Sequence, residues 1–335
     1  MNRDDLIAVF LARNGYAPSD AEPLAGDAST RRYLRIRGER RAVLMDAAPP
    51  EDVRPFLRIA AHLHGIGLKV PAILAADEIH GLVLEQDLGD DLLSLLLDRG
   101  DAPDPLLDAA VDALVIMHRA APLDGLPLWD AEAMASTALG TLFDWWWPVQ
   151  FGSPAAEAAR DDVAAGLAAI LRPLVAGPRC LVHRDYFAGN LLRLSDQRVG
   201  IIDFQDAALG HPAYDLVSLT QDARRDIAPA SRDRAVKRYL VARPEIDPTE
   251  FAAALTACAA QRHLRVACQW VRLALRDGRP QYLGYGPRTW RLLEDALSQP
   301  AAKPLAAALN RWIPAVRRGN PPGLNHPQHD DAGQQ

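Results

Sequence analysis

Scarcity frames the reading of this chain of 335 residues. It has only three cysteines, Cys180, Cys258 and Cys268, and their spacing is not that of a metal-ligand set. An odd, sparse set of thiols excludes a disulfide framework and fits a reducing compartment. No apolar run reaches the roughly 20 residues that a membrane-spanning helix needs. The start, Met1-Asn2-Arg3-Asp4-Asp5, leads into a mixed amphipathic segment and does not read as a signal peptide. Excess positive charge is missing too. The net charge is −6, the wrong sign for a nucleic-acid footprint. The arginines are spread among acids, as on solvated helix faces. Internal repeats are absent. Together these absences predict a cytoplasmic protein with neither a nucleic-acid nor a membrane partner; the oligomeric state stays open, with a monomer slightly favoured.

Apolar residues make up 49% of the chain, enough to build one large core or two modest ones. The chemistry concentrates in Leu181-Val182-His183-Arg184-Asp185-Tyr186-Phe187-Ala188-Gly189-Asn190-Leu191-Leu192, followed by Gly200-Ile201-Ile202-Asp203-Phe204. This is H-R-D-x-x-x-x-N, then an apolar strand ending in Asp-Phe. Phosphoryl transfer from ATP needs such a set: an Asp to orient the attacking hydroxyl and take its proton, and an Asn and a second Asp to hold magnesium. Asp185 is the candidate base, and Asn190 and Asp203 are the candidate metal ligands. One Asp-x4-Asn is common by chance, and a single strand ending in Asp is more often a turn. The two in this order, each with apolar flanks, are much rarer together.

Along the chain, residues 3–14 predict a helix, and residues 24–36 predict strand, small-residue turn, strand. With a single glycine, Gly26, that turn alone reads as an ordinary hairpin; added to the downstream Asp-Asn-Asp set, its small residues suit close backbone approach to a phosphate, with hydroxyls from Ser29 and Thr30 and positive charge from Arg31 and Arg32. A strand over 41–45, a helix over 51–63 and a strand pair over 70–76 and 81–86 follow. A hinge is placed at 85–91, where Gly and charge mark a change of style. Beyond it the spacing turns helical over 92–97, 104–120, 139–151, 157–175, 231–243, 249–276, 287–297 and 301–312. Trp145, Trp146 and Trp147 cannot all face one side of a helix. Either two are core and the third covers a neighbour, or one forms a platform for a sugar, and Trp146 is the named candidate. In Gly210-His211-Pro212-Ala213-Tyr214-Asp215, Pro212 suits a helix start, and Asp215 a structural role bonding backbone N–H groups. Arg224 and Arg225 are either a solvated helix end or a bidentate fork for a substrate carboxylate. Residues 318–335 are polar and without apolar periodicity, and predict a disordered tail; His326 and His329 there are too few for a metal.

These residues resemble the aminoglycoside phosphotransferase family of kinase-like enzymes over about residues 20–310. Gly26-Asp27-Ala28-Ser29 with Arg31-Arg32-Tyr33, Met45 to Pro50, Asp203 to Ala207, His211 to Arg225, Gln261 to Val266 and Arg276 to Pro280 are similar to one branch, the bacterial anomeric sugar kinases of cell-wall recycling. The resemblance implies an α+β, bilobal, protein-kinase-like fold. Residues 1–88 would form a small antiparallel-sheet lobe with one main helix, and 89–317 a larger, mostly helical lobe. It implies ATP and Mg2+ as cofactors, with ATP against Gly26 to Arg32, Glu85 and Asp87. The acceptor would be an amino sugar, N-acetylmuramate and/or N-acetylglucosamine, phosphorylated at C1 and contacted by Gln205, Asp206, Trp146, Arg224 and Arg225. His183 and Asp215 would give structural support. One departure stands out: the phosphate-holding lysine of the third strand falls at Met45, as the resembled branch also has an apolar residue there, and no helix Glu is obvious nearby. Arg31 or Arg32 is then the candidate cation. Other acceptors (an aminoglycoside, choline, an amino-acid alcohol) and a nucleotide-binding pseudokinase are the alternatives. A protein kinase is disfavoured, because Gly210-His211-Pro212 follows Phe204 by only about six residues, too few for an activation segment.

Overall fold

A computed structural model describes residues 2–24 and 31–324. Gly26, Asp27, Ser29 and Thr30 of the expected phosphate loop lie outside the described residues, as do His326 and His329. The chain groups into two compact units, Met1–Leu126 with Cys180–Ala208, and Pro127–Arg179 with Leu209–Gln335. The first therefore takes in residues 89–126 and the catalytic stretch along with the sheet.

The first unit is built on strands β1 (Ala21–Leu24), β2 (Arg32–Ile36), β3 (Ala42–Asp46), β4 (Ile73–Asp77) and β5 (Leu82–Gln86), in spatial order β1-β2-β3-β5-β4. All neighbours are antiparallel, as expected. The register sorts the side chains, because directly opposed residues share a face. Tyr33 opposes Met45 and Arg35 opposes Val43, which in turn oppose Val83 and Glu85. The alternate residues Leu34, Ile36, Ala42, Leu44, Leu82 and Leu84 occupy the other face. There they form one core with Ile7, Phe10 and Leu11 of the helix α1 (Arg3–Arg13). Helix α1 starts from a capping box in which Asn2 and Asp5 bond each other's backbone N–H. Ion pairs fasten it: Arg3 and Arg32 both donate to the buried Asp46, and Arg32 also reaches Asp4 at 3.2 Å. The turn into β5 needs Gly81. Its φ is +65°, and a Cβ there would lie 1.9 Å from the Ala47 carbonyl oxygen. Helices α2 (Arg54–Gly65), α3 (Leu93–Asp98) and α4 (Pro103–Arg119) complete this part.

The second unit is helical apart from a short parallel pairing of Leu209 and Gly210 with Leu128 and Trp129. Its longest element, Pro248–Arg276, begins with Asp247 accepting from the Thr249 and Glu250 N–H groups, with Pro248 at the first helical position. The tryptophan run ends a π-type segment, Thr141–Trp146. Here the structure corrects two expectations. Trp146 is not an open platform: it is fully buried, its indole N–H donates to the Gly319 carbonyl at 2.8 Å, and its ring packs on Trp290 and Phe151. Trp147 is buried as well, and Trp145 alone of the three keeps some surface. Order also persists past residue 318. Gln150 donates to the Arg317 carbonyl, Arg318 to the Ile313 carbonyl and Glu294, and Asn320 to the Leu283 carbonyl. Here the chain accepts from Trp146 and Gln150 and donates to Ile313, Glu294 and Leu283, so hydrogen bonds hold residues 317–320 where apolar periodicity gives no signal, while 325–335 lie outside the described residues. Among the described residues no helix is long and apolar enough to cross a membrane.

Candidate active site

The short hairpin Leu191–Arg193 and Val199–Ile201 is the device that builds the site. It pairs Leu191 with Ile201, and one step outward the Ile202 N–H bonds the Asn190 carbonyl at 3.1 Å. Closing this ladder brings Asn190 and Asp203 side by side although 13 positions separate them. The Asn190 amide nitrogen donates to the Asp185 carbonyl at 2.9 Å and to Asp203 Oδ2 at 3.2 Å. One side chain thus ties the loop carrying the presumed base to the turn carrying the presumed metal ligand. Arg184 and Asp203 have φ of +75° and +62°, a region non-glycine residues enter at a cost and that clusters at functional sites.

His183 bridges two segments of the site. The Asp185 N–H donates to His183 Nδ1 at 3.3 Å, so the proton sits on Nε2, which faces the Ile202 carbonyl at 2.9 Å. The ring therefore links the same two segments as Asn190. Tyr186 was not singled out from the sequence. It is fully buried, its hydroxyl donates to the Ala110 carbonyl of α4 at 2.8 Å, and its ring meets His183 edge-on. Phe204 stacks on Phe56 of α2 at 4.9 Å between centroids. Apolar positions in the loop were the only sequence signal for either anchor.

The remaining expected residues divide. Gln205 donates to Asp203 Oδ1 at 2.7 Å, and the exposed Asp206 accepts from Arg184 through its carbonyl. Asp87 is occupied by Arg35 at 3.1 Å and by the Gly89 N–H. The two arginine candidates part by strand parity: Arg32 lies on the α1 face with Asp46, while Arg31 bonds Tyr33 on the Met45 face and lies 3.7 Å from Glu51. Met45 itself is fully buried. Glu51 just ahead of α2 is thus the acid that could not be picked out from spacing. In the second unit Asp215 is fully buried in the first turn of helix Ala213–Thr220. Arg224 lies over the rings of Trp270 and Tyr282, and Arg225 Nε is 3.6 Å from Asp222.

Electrostatics single out the Met45 face. Crowding by protein raises the Asp203 pKa even though the residue is exposed, and the like charges of Asp185 and Asp206 push the same way, against Gln205 and His183. Tyr33 is pushed up to about 12 by burial and by the negative charges of Glu85 and Asp203, against Arg31. Glu85 is 7% exposed, and burial alone lifts its carboxyl from 4.5 to about 8. The folded state therefore binds a proton that the unfolded chain releases above about 4.5, and stability falls as pH rises from there to about 8. Melting temperatures of the wild type should fall relative to those of Glu85→Gln across this window. Equal slopes would contradict the assignment.

Among the described residues no group of three or more His, Cys, Asp or Glu could hold a metal. A carboxylate beside an amide fits magnesium, which uses one or two carboxylates and takes the rest of its shell from phosphates and water.

An antiparallel sheet, a loop presenting Asp185 and Asn190, and a hairpin presenting Asp203 define the class of protein-kinase-like phosphotransferases. Solved structures show the same fold. The ADP-bound aminoglycoside phosphotransferase APH(2'')-Ib has a TM-score of 0.61 at 14% identity, over 91% of this chain and 99% of that one. The GDP complex of aminoglycoside 2'-phosphotransferase-IIIa has a TM-score of 0.60 at 16% identity, over 87% and 96%. The profile of the phosphotransferase enzyme family matches residues 20–254, and the chain belongs to that family. Two relatives carry the name N-acetylmuramate/N-acetylglucosamine kinase. The one from Caulobacter vibrioides is 37% identical over 94% of this chain and 98% of its own length. The one from Pseudomonas aeruginosa is 36% identical over 90% of each.

Proposed function

We propose that this protein is an ATP-dependent kinase that phosphorylates the C1 hydroxyl of N-acetylmuramate and/or N-acetylglucosamine, giving the α-1-phosphate, in cytoplasmic peptidoglycan recycling. The single observation that carries the reading is the Asn190 clamp between Asp185 and Asp203, in a chain so similar to two kinases of that name. Residues 1–88 would serve the nucleotide and 89–317 the acceptor. The Asp185 carboxylate takes the proton of the anomeric hydroxyl as its oxygen attacks the γ-phosphorus and the bond to ADP breaks. An anomeric hydroxyl is more acidic than other sugar hydroxyls, which eases the demand on Asp185. Asn190 and Asp203 would hold magnesium, whose charge offsets that gathering on the phosphates. Gln205 and Asp206 would meet the sugar, and Arg224 or Arg225 the carboxylate that distinguishes N-acetylmuramate.

Arg31 supplies the positive charge that Met45 lacks. Arg31→Ala should raise the KM for ATP roughly tenfold or more, the worth of a charge-assisted contact of about 1.5–3 kcal/mol. Arg32→Ala should instead lower stability by about 1–3 kcal/mol by loosening Asp46, with the KM for ATP little changed. Kinetics and thermal melts of the two variants check this; the reverse pattern overturns it.

The fully buried Met45 also suits a pseudokinase. A phosphorylation screen with N-acetylmuramate, N-acetylglucosamine, glucose and kanamycin separates the readings, and NMR of the product locates the phosphate. Phosphate at C1 of an amino sugar supports the proposal; turnover of kanamycin alone, or of nothing, rejects it. The fold is found with ADP and with GDP among its solved neighbours, so it does not itself dictate the purine.

A further inference from the structure

We propose that Arg265, Gln269 and Arg272 form a cradle for the carboxylate of the acceptor, and so select N-acetylmuramate over N-acetylglucosamine. The inference deepens the function proposed above and rests on it. It starts from an anomaly in the longest helix of the second unit, Pro248–Arg276. From Ala257 to Leu273 every residue of this helix is buried except Arg265, Gln269 and Arg272, which are half-buried. They follow one another at spacings of four and three, so they share one face, about one turn apart. A helix enclosed on its other sides thus opens to water along a single narrow strip. An ordinary surface helix spreads its charge over a broad exposed face. This one confines two guanidiniums, with an amide between them, to that strip.

Neither guanidinium is neutralised from within: among the described residues no carboxylate forms an ion pair with Arg265 or Arg272. Arg265 is oriented by rings. Its Nη2 donates to Tyr214 Oη at 3.4 Å, and the guanidinium lies 6.0 Å from the centre of the Trp129 ring. Rings fix its direction and leave its charge uncompensated. Arg272 feels the like charges of Arg276 and Arg265, and the one opposing acid, Asp277, is held by Arg276 at 2.6 and 3.0 Å. Nε of both arginines is buried without a hydrogen-bond partner, a condition that costs stability and calls for an acceptor. The planar fork of a guanidinium matches a carboxylate, and the Gln269 amide can donate to a neighbouring oxygen. Arg224 and Arg225 have less to offer. Arg224 lies over the rings of Trp270 and Tyr282, and Arg225 Nε is 3.6 Å from the buried Asp222. The lactyl carboxylate is the one anionic group by which the two candidate sugars differ, so a cradle of uncompensated cations discriminates between them.

The test compares phosphorylation of N-acetylmuramate, its lactyl carboxamide and N-acetylglucosamine by the intact protein, with Arg265→Gln, Arg272→Gln and Arg225→Gln beside the wild type. A charge-assisted contact is worth roughly 10–150-fold. Arg265→Gln and Arg272→Gln should each raise the KM for N-acetylmuramate by that factor. The KM for N-acetylglucosamine should stay within about threefold, far below the worth of such a contact, and the melting temperatures should not change. The wild type should show a KM for the carboxamide raised by the same factor over N-acetylmuramate, a comparison that does not depend on how any variant folds. A KM ratio between the two sugars unaltered in both helix variants overturns the proposal and leaves the kinase reading intact. So does an equal loss for both sugars, which marks a structural role, or a shift confined to Arg225→Gln, which puts the carboxylate at the loop. A wild type that phosphorylates neither sugar overturns the proposal together with the kinase reading.

Discussion

Asp185→Asn should reduce kcat by about 10²–10⁴-fold, the usual loss when a positioned base is removed, with the affinity for ADP held within a few-fold. The separation is expected because of how the loop is built. Asn190 is held by the backbone carbonyl of Asp185, and the Asp185 backbone N–H is held by His183. Neither bond uses the carboxylate. An Asn at 185 keeps shape and both bonds, and loses the capacity to take a proton. Steady-state kinetics with the sugar acceptor and calorimetric titration of ADP measure the two quantities apart. Turnover within tenfold of the wild type would show that Asp185 is not the base. A joint collapse of turnover and binding would point instead to a scaffold role.

Trp146→Ala should cost about 3–5 kcal/mol of stability, the range for emptying a buried aromatic site. Its indole fills a fully enclosed space against Trp290 and Phe151 and supplies the hydrogen bond to the Gly319 carbonyl. Trp145→Ala, one position away but partly open, should cost much less. Denaturant unfolding of the two variants measures the contrast. If Trp146→Ala unfolds like the wild type and instead raises the KM for the sugar, the indole is a binding surface after all.

The candidate catalytic set is readable in the sequence because it is local. H-R-D-x4-N and Ile202-Asp203-Phe204 sit in one stretch and are joined by a hairpin a few residues long. Alternating and helical periodicities likewise announced β2 to β5 and the major helices. What escaped was set by pairing between distant segments. Adjacent arginines fall on opposite faces of a strand, so only the register separates Arg31 from Arg32. Glu51 pairs with Arg31 across a gap that spacing cannot display. Glu85 reads as one more acidic residue by a hinge until its burial is known. Trp146 and Asn320 declare their roles only when the far segment that each one bonds is in place.

Both compact units are discontinuous in the chain, and this bears on biosynthesis. The sheet and its helices are complete in sequence by Leu126, but their unit also needs Cys180–Ala208. At about 5–20 residues per second, the ribosome takes roughly 4–16 s to deliver those last pieces, while β1 to β5 wait without the Phe204 that stacks on Phe56. The nascent protein therefore passes through a stage with an incomplete core, and the timing of translation across residues 127–208 becomes a determinant of how much of it reaches the native state.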